Sequence, residues 1–147
     1  EVVDTDDLIE EKAEKTISEI FSEDGEEALR DLESEIAQDV SKLTGHIIIT
    51  GGGIVLREAN IQALKMAGPV FCLTASPEVI LQRTQGTSHR PLLQTPDPLS
   101  KIRELLRLRE PFYAKADHII DTSSLTILEV AAYIIDILSD RYPEILQ

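Results

Sequence analysis

The stretch Gly45–Asn60, "GHIIITGGGIVLREAN", puts a short β-branched run directly before three consecutive glycines. His46–Thr50 reads as a buried strand, and Gly51, Gly52 and Gly53 follow at its C-terminal end. A glycine-rich turn after a strand often cradles phosphate, but a nucleotide loop also carries a lysine and a hydroxyl, which this turn lacks. The glycines therefore need a different ligand, and the flanking sequence has to supply it.

Helical and strand patterns alternate on both sides of the turn. Upstream, Leu29, Leu32, Ile36, Val40 and Leu43 recur at three- and four-residue steps and predict one apolar helix face, with Gly45 as its stop. Before it, "EVVDTDD" reads as a strand tail running into acids, where Asp6 or Asp7 caps a helix beginning near Leu8. Short helical pieces are expected through Lys12 and around Ser18–Phe21. Downstream come a helix at "NIQALKMAG", a buried strand "PVFCLT", and a helix opened by Ser76, Pro77 and Glu78. A further helix starts at Asp97-Pro98 and stops at Pro111. "HIIDT" and "LTILEVAAYIIDIL" read as a last strand and helix. Such alternation predicts an α/β domain, a parallel sheet with helices on both faces. Ligands gather at the carboxyl ends of the strands in such folds, and "DTDD", "TGGG" and "DTSS" all fall there.

Composition narrows the partners. The 147 residues carry a formal charge of −13, which argues against nucleic acid. The cations concentrate in the second half, at Arg83, Arg90 and "KIRELLRLRE", which suits a small anionic ligand. No run is long enough to span a membrane, and no secretory signal pattern occurs. The single cysteine, Cys72, reads as a buried, inert thiol in a reducing compartment.

Asp4 and Asp6 lie two apart at a strand end, so both could face one site. One could hold Mg2+ and the other accept a proton, or the pair could be a cap with surface charge. Arg30 stands three residues before Glu33; spacing alone favours a surface ion pair over a guanidinium aimed at a carboxylate. Arg109 shares a helix face with Ile102, Leu105 and Leu106, so it needs an anion, either a structural carboxylate or one on a ligand. Arg90 lies in "RTQGTSHRPLLQTPDP", the one long aperiodic stretch. An arginine delivered there by a closing loop could stabilise a phosphoryl group. A solvated role suits His89.

Taken in order, "DTDDLIE", "ISEIF", "DGEEALRDLE", "TGGG" with Asn60, "QRTQGTSHRPLL", "LRLREPFY" and "HIIDT" resemble shikimate kinase over nearly the whole chain. The resemblance implies a P-loop kinase fold and transfer of the γ-phosphate of ATP to the 3-hydroxyl of shikimate. Mg2+ would assist, on the route to chorismate and the aromatic amino acids. It makes Asp4 the magnesium-associated residue, and Asp6 the base and a ligand of the shikimate hydroxyls. Arg30 and Arg109 would grip the carboxylate, with Glu33 orienting Arg30 and Gly51, Gly52 and Gly53 lying against shikimate. Arg90 becomes the lid arginine, catalytic and ATP-binding, within a mobile loop at 84–96. Arg83 approaches adenine, beside a loop at Asp121-Thr122. A cytoplasmic monomer of one domain is expected. Leu29 stands where the family usually carries Phe.

The family also has a first strand, a G-x-x-x-x-G-K-[ST] loop and a helix ahead of its "VVDTD" strand. These 147 residues are expected to be a partial view of the kinase, inactive by themselves, with the strands that flank the central position losing ladder bonds. Two alternatives are a catalytically dead shikimate-binding module and another small-metabolite kinase of gluconate type. The paired inward arginines disfavour the second.

Overall fold

A computed structural model describes residues 1–86 and 90–147. The first half runs β1 (Val2–Asp4), α1 (Thr5–Ala13), α2 (Ile17–Glu19), a single π turn at Ile20–Asp24, α3 (Glu26–Val40) and β2 (Ile47–Ile49). After a 3-10 turn at Ile54–Leu56 come α4 (Glu58–Ala67), β3 (Phe71–Thr74), α5 (Pro77–Thr84), α6 (Pro98–Tyr113), β4 (His118–Asp121) and α7 (Ile127–Arg141).

The strands pair in parallel, β1 with β2 (Val3 opposite Ile48) and β3 with β4 (Cys72 opposite Ile119). Among the described residues no ladder bond joins the two pairs. That is the arrangement implied above for neighbours of a central strand.

Why the sequence folds this way is clearest in the first half. Ile9, Ile17, Ile20, Leu29, Ile36, Ala37, Val40, Ile54 and Leu64 form one buried cluster, with Val3 and Ile48 packed against it. Burying one such aliphatic side chain is worth about 1.5–3 kcal/mol, and α3 alone contributes Leu29, Ile36 and Val40 to the cluster. Leu29, where the family usually has Phe, is thus a core residue. The second half is thinner: Ile102 and Ile120 are buried, but α7 has no buried residue.

Several expectations need correction. The first helix starts at Thr5, not Leu8, because the Asp4 carboxylate accepts the Asp6 N–H at 2.9 Å and takes the cap position itself. Helix α3 ends at Val40, short of Gly45, so Leu43 leaves the apolar face and is partly exposed. Pro111 does not terminate α6, which continues to Tyr113. A proline near a helix's last turn breaks only its own bond. Nor is β2 fully buried: Ile48 faces the core, while Ile47 and Ile49 alternate to a face that is 65% and 48% exposed. In β3, Leu73 is exposed in the same way, and Cys72 is half-buried, its thiol pushed up by burial. Among the described residues no helix is long and apolar enough to cross a membrane.

Candidate active site

The carboxyl ends of β1 and β2 lie side by side, so the first turn of α1 faces the glycine turn. A Cβ on Gly51 would sit 3.2 Å from Asp6 Oδ1. Asp6 is half-buried, and its carboxyl is raised above the usual range by desolvation first and by the Asp4 charge second; the Arg90 charge opposes both. A half-buried carboxylate tuned upward beside other charged groups is the profile of a general base. Asp4 has a different part, with one oxygen engaged at the α1 N-terminus.

Arg30 is the clearest reversal of a spacing-based reading. It is 7% exposed and Glu33 is 6% exposed, so their pair is a buried one and not a surface i,i+3 contact. Nη1 donates to both Glu33 oxygens, at 2.8 and 2.7 Å, and Nη2 donates to Glu26 Oε1 at 3.0 Å. Burial works against the Arg30 charge, but the two glutamates outweigh it and hold the guanidinium charged. Glu33 is pushed up by burial, with Arg30 and Arg109 pulling it back and Asp6 adding to the rise. The bidentate geometry favours the ionised pair. Arg30 lies against Gly53, where a Cβ would be 2.7 Å from Cζ, so any side chain at 53 would displace the guanidinium.

On α6, Arg109 approaches the same turn, with Nη1 3.6 Å from the Cβ position of Gly52. Sequence left its anion open between a structural carboxylate and a ligand. Arg109 is half-buried, and among the described residues it has neither an ion-pair partner nor a hydrogen bond. Glu33 acts on it only at a distance, so the guanidinium keeps its donors free to meet a ligand anion directly. Asp6, Arg30, Glu33 and Arg109 thus converge around three bare glycines.

Two further contacts fix the turn. Asn60 Nδ2 donates to the Ile54 carbonyl at 2.9 Å, fully buried. Arg57, at the start of α4, donates to Asp31 at 2.8 Å, Ser34 at 3.1 Å and Glu27 at 3.1 Å, bracing the turn onto α3.

Across the molecule, Arg83 donates to Oγ1 and the carbonyl of Thr122, each at 2.8 Å, and Thr122 Oγ1 donates to the Thr74 carbonyl at 2.8 Å. This joins α5 to the carboxyl ends of β3 and β4, where the resemblance places the adenine side. Arg90 is exposed, and its charge reaches Asp6. Of the 84–96 loop, residues 87–89, His89 included, lie outside the described residues. One open depression of about 410 Å³ borders Gln38, Lys42, Ala63 and Met66, away from the converging charges. Charge convergence, not enclosure, marks the site.

The family profile described as shikimate kinase matches residues 1–139. The chain belongs to the shikimate kinase family. It is 48% identical over 133 residues to the shikimate kinase of Thermodesulfovibrio yellowstonii, covering 90% of this chain and 77% of that one. The shikimate kinase of Caldanaerobacter subterraneus subsp. tengcongensis is also 48% identical, with 90% of this chain and 78% of that one covered. Among solved structures, shikimate kinase from Acinetobacter baumannii in complex with shikimate superposes with a TM-score of 0.91 at 35% identity, covering 97% of this chain and 80% of that one. These likenesses bear out the α/β P-loop kinase fold and the kinase activity implied by the motif order.

Sequence reasoning missed Glu26 and Tyr113. Both had a readable signal: Glu26 stands four residues before Arg30, and Tyr113 four residues after Arg109, each one helical turn away.

Proposed function

We propose that this site binds shikimate between Asp6, Arg30, Arg109 and the glycine turn, and transfers the γ-phosphate of ATP to its 3-hydroxyl. The observation that carries this reading is Arg109, a half-buried cation that makes no direct ion pair among the described residues and feels Glu33 only at a distance, placed across bare backbone from Arg30 and Asp6. A ring bearing one carboxylate and several hydroxyls meets each of these groups. The cations grip the carboxylate, Asp6 accepts from a hydroxyl, and the glycines let the ring approach the backbone. The relative from Acinetobacter baumannii was solved with shikimate bound, which supports the same acceptor here.

Asp6 then takes the hydroxyl proton as oxygen attacks the γ-phosphorus and the bond to the β–γ bridging oxygen breaks, releasing ADP; its raised pKa suits that task. This favours a catalyst over a binding module. Arg90 would meet the transferring phosphoryl oxygens from the 84–96 lid, and Arg83 the nucleotide side. Mg2+ is usually held by one or two carboxylates together with substrate phosphates and water. Asp4 would add the oxygen that does not cap α1. When bound, the ion neutralises phosphate charge. The same reading makes the protein a one-domain cytoplasmic monomer that does not take nucleic acid.

Arg109→Ala is expected to weaken shikimate binding about 10- to 100-fold, as loss of a charge-assisted pair does, while leaving ATP binding near wild type. Calorimetric titration of both ligands checks this. Equal shikimate affinity in the two proteins would remove Arg109 from the site, and no shikimate binding by wild type would overturn the function.

A further inference from the structure

Each glycine of the turn is kept bare by one side chain. At Gly51 it is Asp6 and at Gly53 it is Arg30, both already placed in the acceptor site. At Gly52 the nearest side chain is Tyr113: a Cβ there would lie 2.7 Å from its hydroxyl oxygen and 3.7 Å from Cζ. Arg109 Nη1 lies 3.6 Å from the same point. Tyr113 closes α6 and stands one turn after Arg109, so one helix face presents the phenol and the guanidinium together. The ring is half-buried, and its hydroxyl makes no hydrogen bond among the described residues. It abuts the backbone of the glycine turn instead.

We infer that Tyr113 is a positioning residue for the acceptor: its hydroxyl sets the distance between the Gly52 backbone and the Arg109 guanidinium, and with it the place where the acceptor's carboxylate is held. The inference rests on the shikimate-site reading above. A phenol suits this work because its ring has only two side-chain torsions, so the oxygen is a fixed stop and not a flexible tip. It also accounts for glycine at 52. Any side chain there would strike the oxygen and push the turn away from α6.

The test uses wild type, Tyr113→Phe, Gly52→Ala and the double variant, each titrated with shikimate and with ATP and followed by thermal unfolding. Tyr113→Phe is expected to weaken shikimate binding about fivefold, as a small misplacement of the gripping group does, with ATP affinity and Tm unchanged. Gly52→Ala should bind shikimate more weakly still. The double variant should bind shikimate better than Gly52→Ala, because removing the oxygen makes room for the methyl. Wild-type shikimate affinity in Tyr113→Phe overturns the inference, even if Gly52→Ala fails to fold. So does a double variant no better than Gly52→Ala. A fall in Tm with equal loss of both ligands would make Tyr113 merely structural. If wild type itself binds no shikimate, the functional reading falls and the inference with it.

Discussion

Asp6→Asn, made in the kinase that carries its G-x-x-x-x-G-K-[ST] loop, is expected to lower kcat about 10²- to 10⁴-fold, the usual loss when a general base is removed, while the protein becomes more stable at neutral pH. Both effects come from the same desolvated carboxylate. Its pKa is raised in the folded protein, chiefly by burial and then by Asp4. The folded state therefore holds this proton more tightly than the unfolded chain does. Ionising Asp6 costs stability as pH rises through the window between its unfolded and folded pKa values, and above that window the cost is fully present. Asparagine removes the charge, so its gain should appear at pH 7 and vanish below the ordinary carboxylate range. In the active enzyme the acid limb of kcat/KM should lie above the normal aspartate range for the same reason. Paired denaturation curves at pH 7 and pH 3, with turnover at pH 7, test the assignment. An inactive variant without stabilisation would mean that Asp6 is not desolvated. A stabilised variant with wild-type turnover would mean that it is not the base.

Arg30→Met is expected to abolish measurable shikimate binding and to cost about 3–5 kcal/mol of stability, since it strands the buried Glu33. The stability loss and the binding loss can be separated. Arg30→Met combined with Glu33→Leu replaces the ion pair by apolar groups, which is often neutral or stabilising. The double variant should regain most of the stability and none of the shikimate affinity. Recovery of binding would show that the pair is structural only. Failure to recover stability would show that Glu26 and other neighbours, not Glu33, set the cost.

These expectations show what the sequence could and could not display. The order of motifs carried the fold, because each strand end and helix start has a local signature: β-branched runs, Ser76 and Pro77, the three glycines. Spacing cannot report burial, however. Arg30 and Glu33 look the same as an exposed i,i+3 pair, and only the packing of α3 against its neighbours shows that they are inside. Arg109 was legible because an arginine in an apolar phase is a physical anomaly. What no local pattern could reveal was that Arg109 makes no direct ion pair among the described residues, since that is a statement about many other elements. Tyr113 was overlooked because an aromatic at a helix end reads as packing until its oxygen is placed against Gly52. The exposure of Ile47, Ile49 and Leu73 followed from pairing, which strand propensity does not encode.

The uneven distribution of buried side chains also has a consequence for motion. Local opening costs most where apolar contacts are dense and least where they are sparse. The amides of α3, whose inner face carries Leu29, Ile36 and Val40, should exchange with solvent deuterium only through global unfolding. Those of α7, which buries no side chain, should exchange through local fraying at far lower free energy. The Asp6 and Arg30 side of the proposed acceptor site, on α1 and α3, therefore sits on slowly exchanging ground, while Arg109 and Tyr113 come from α6, which buries only Ile102. Shikimate should find that first side already formed, and its binding should add little protection to α3.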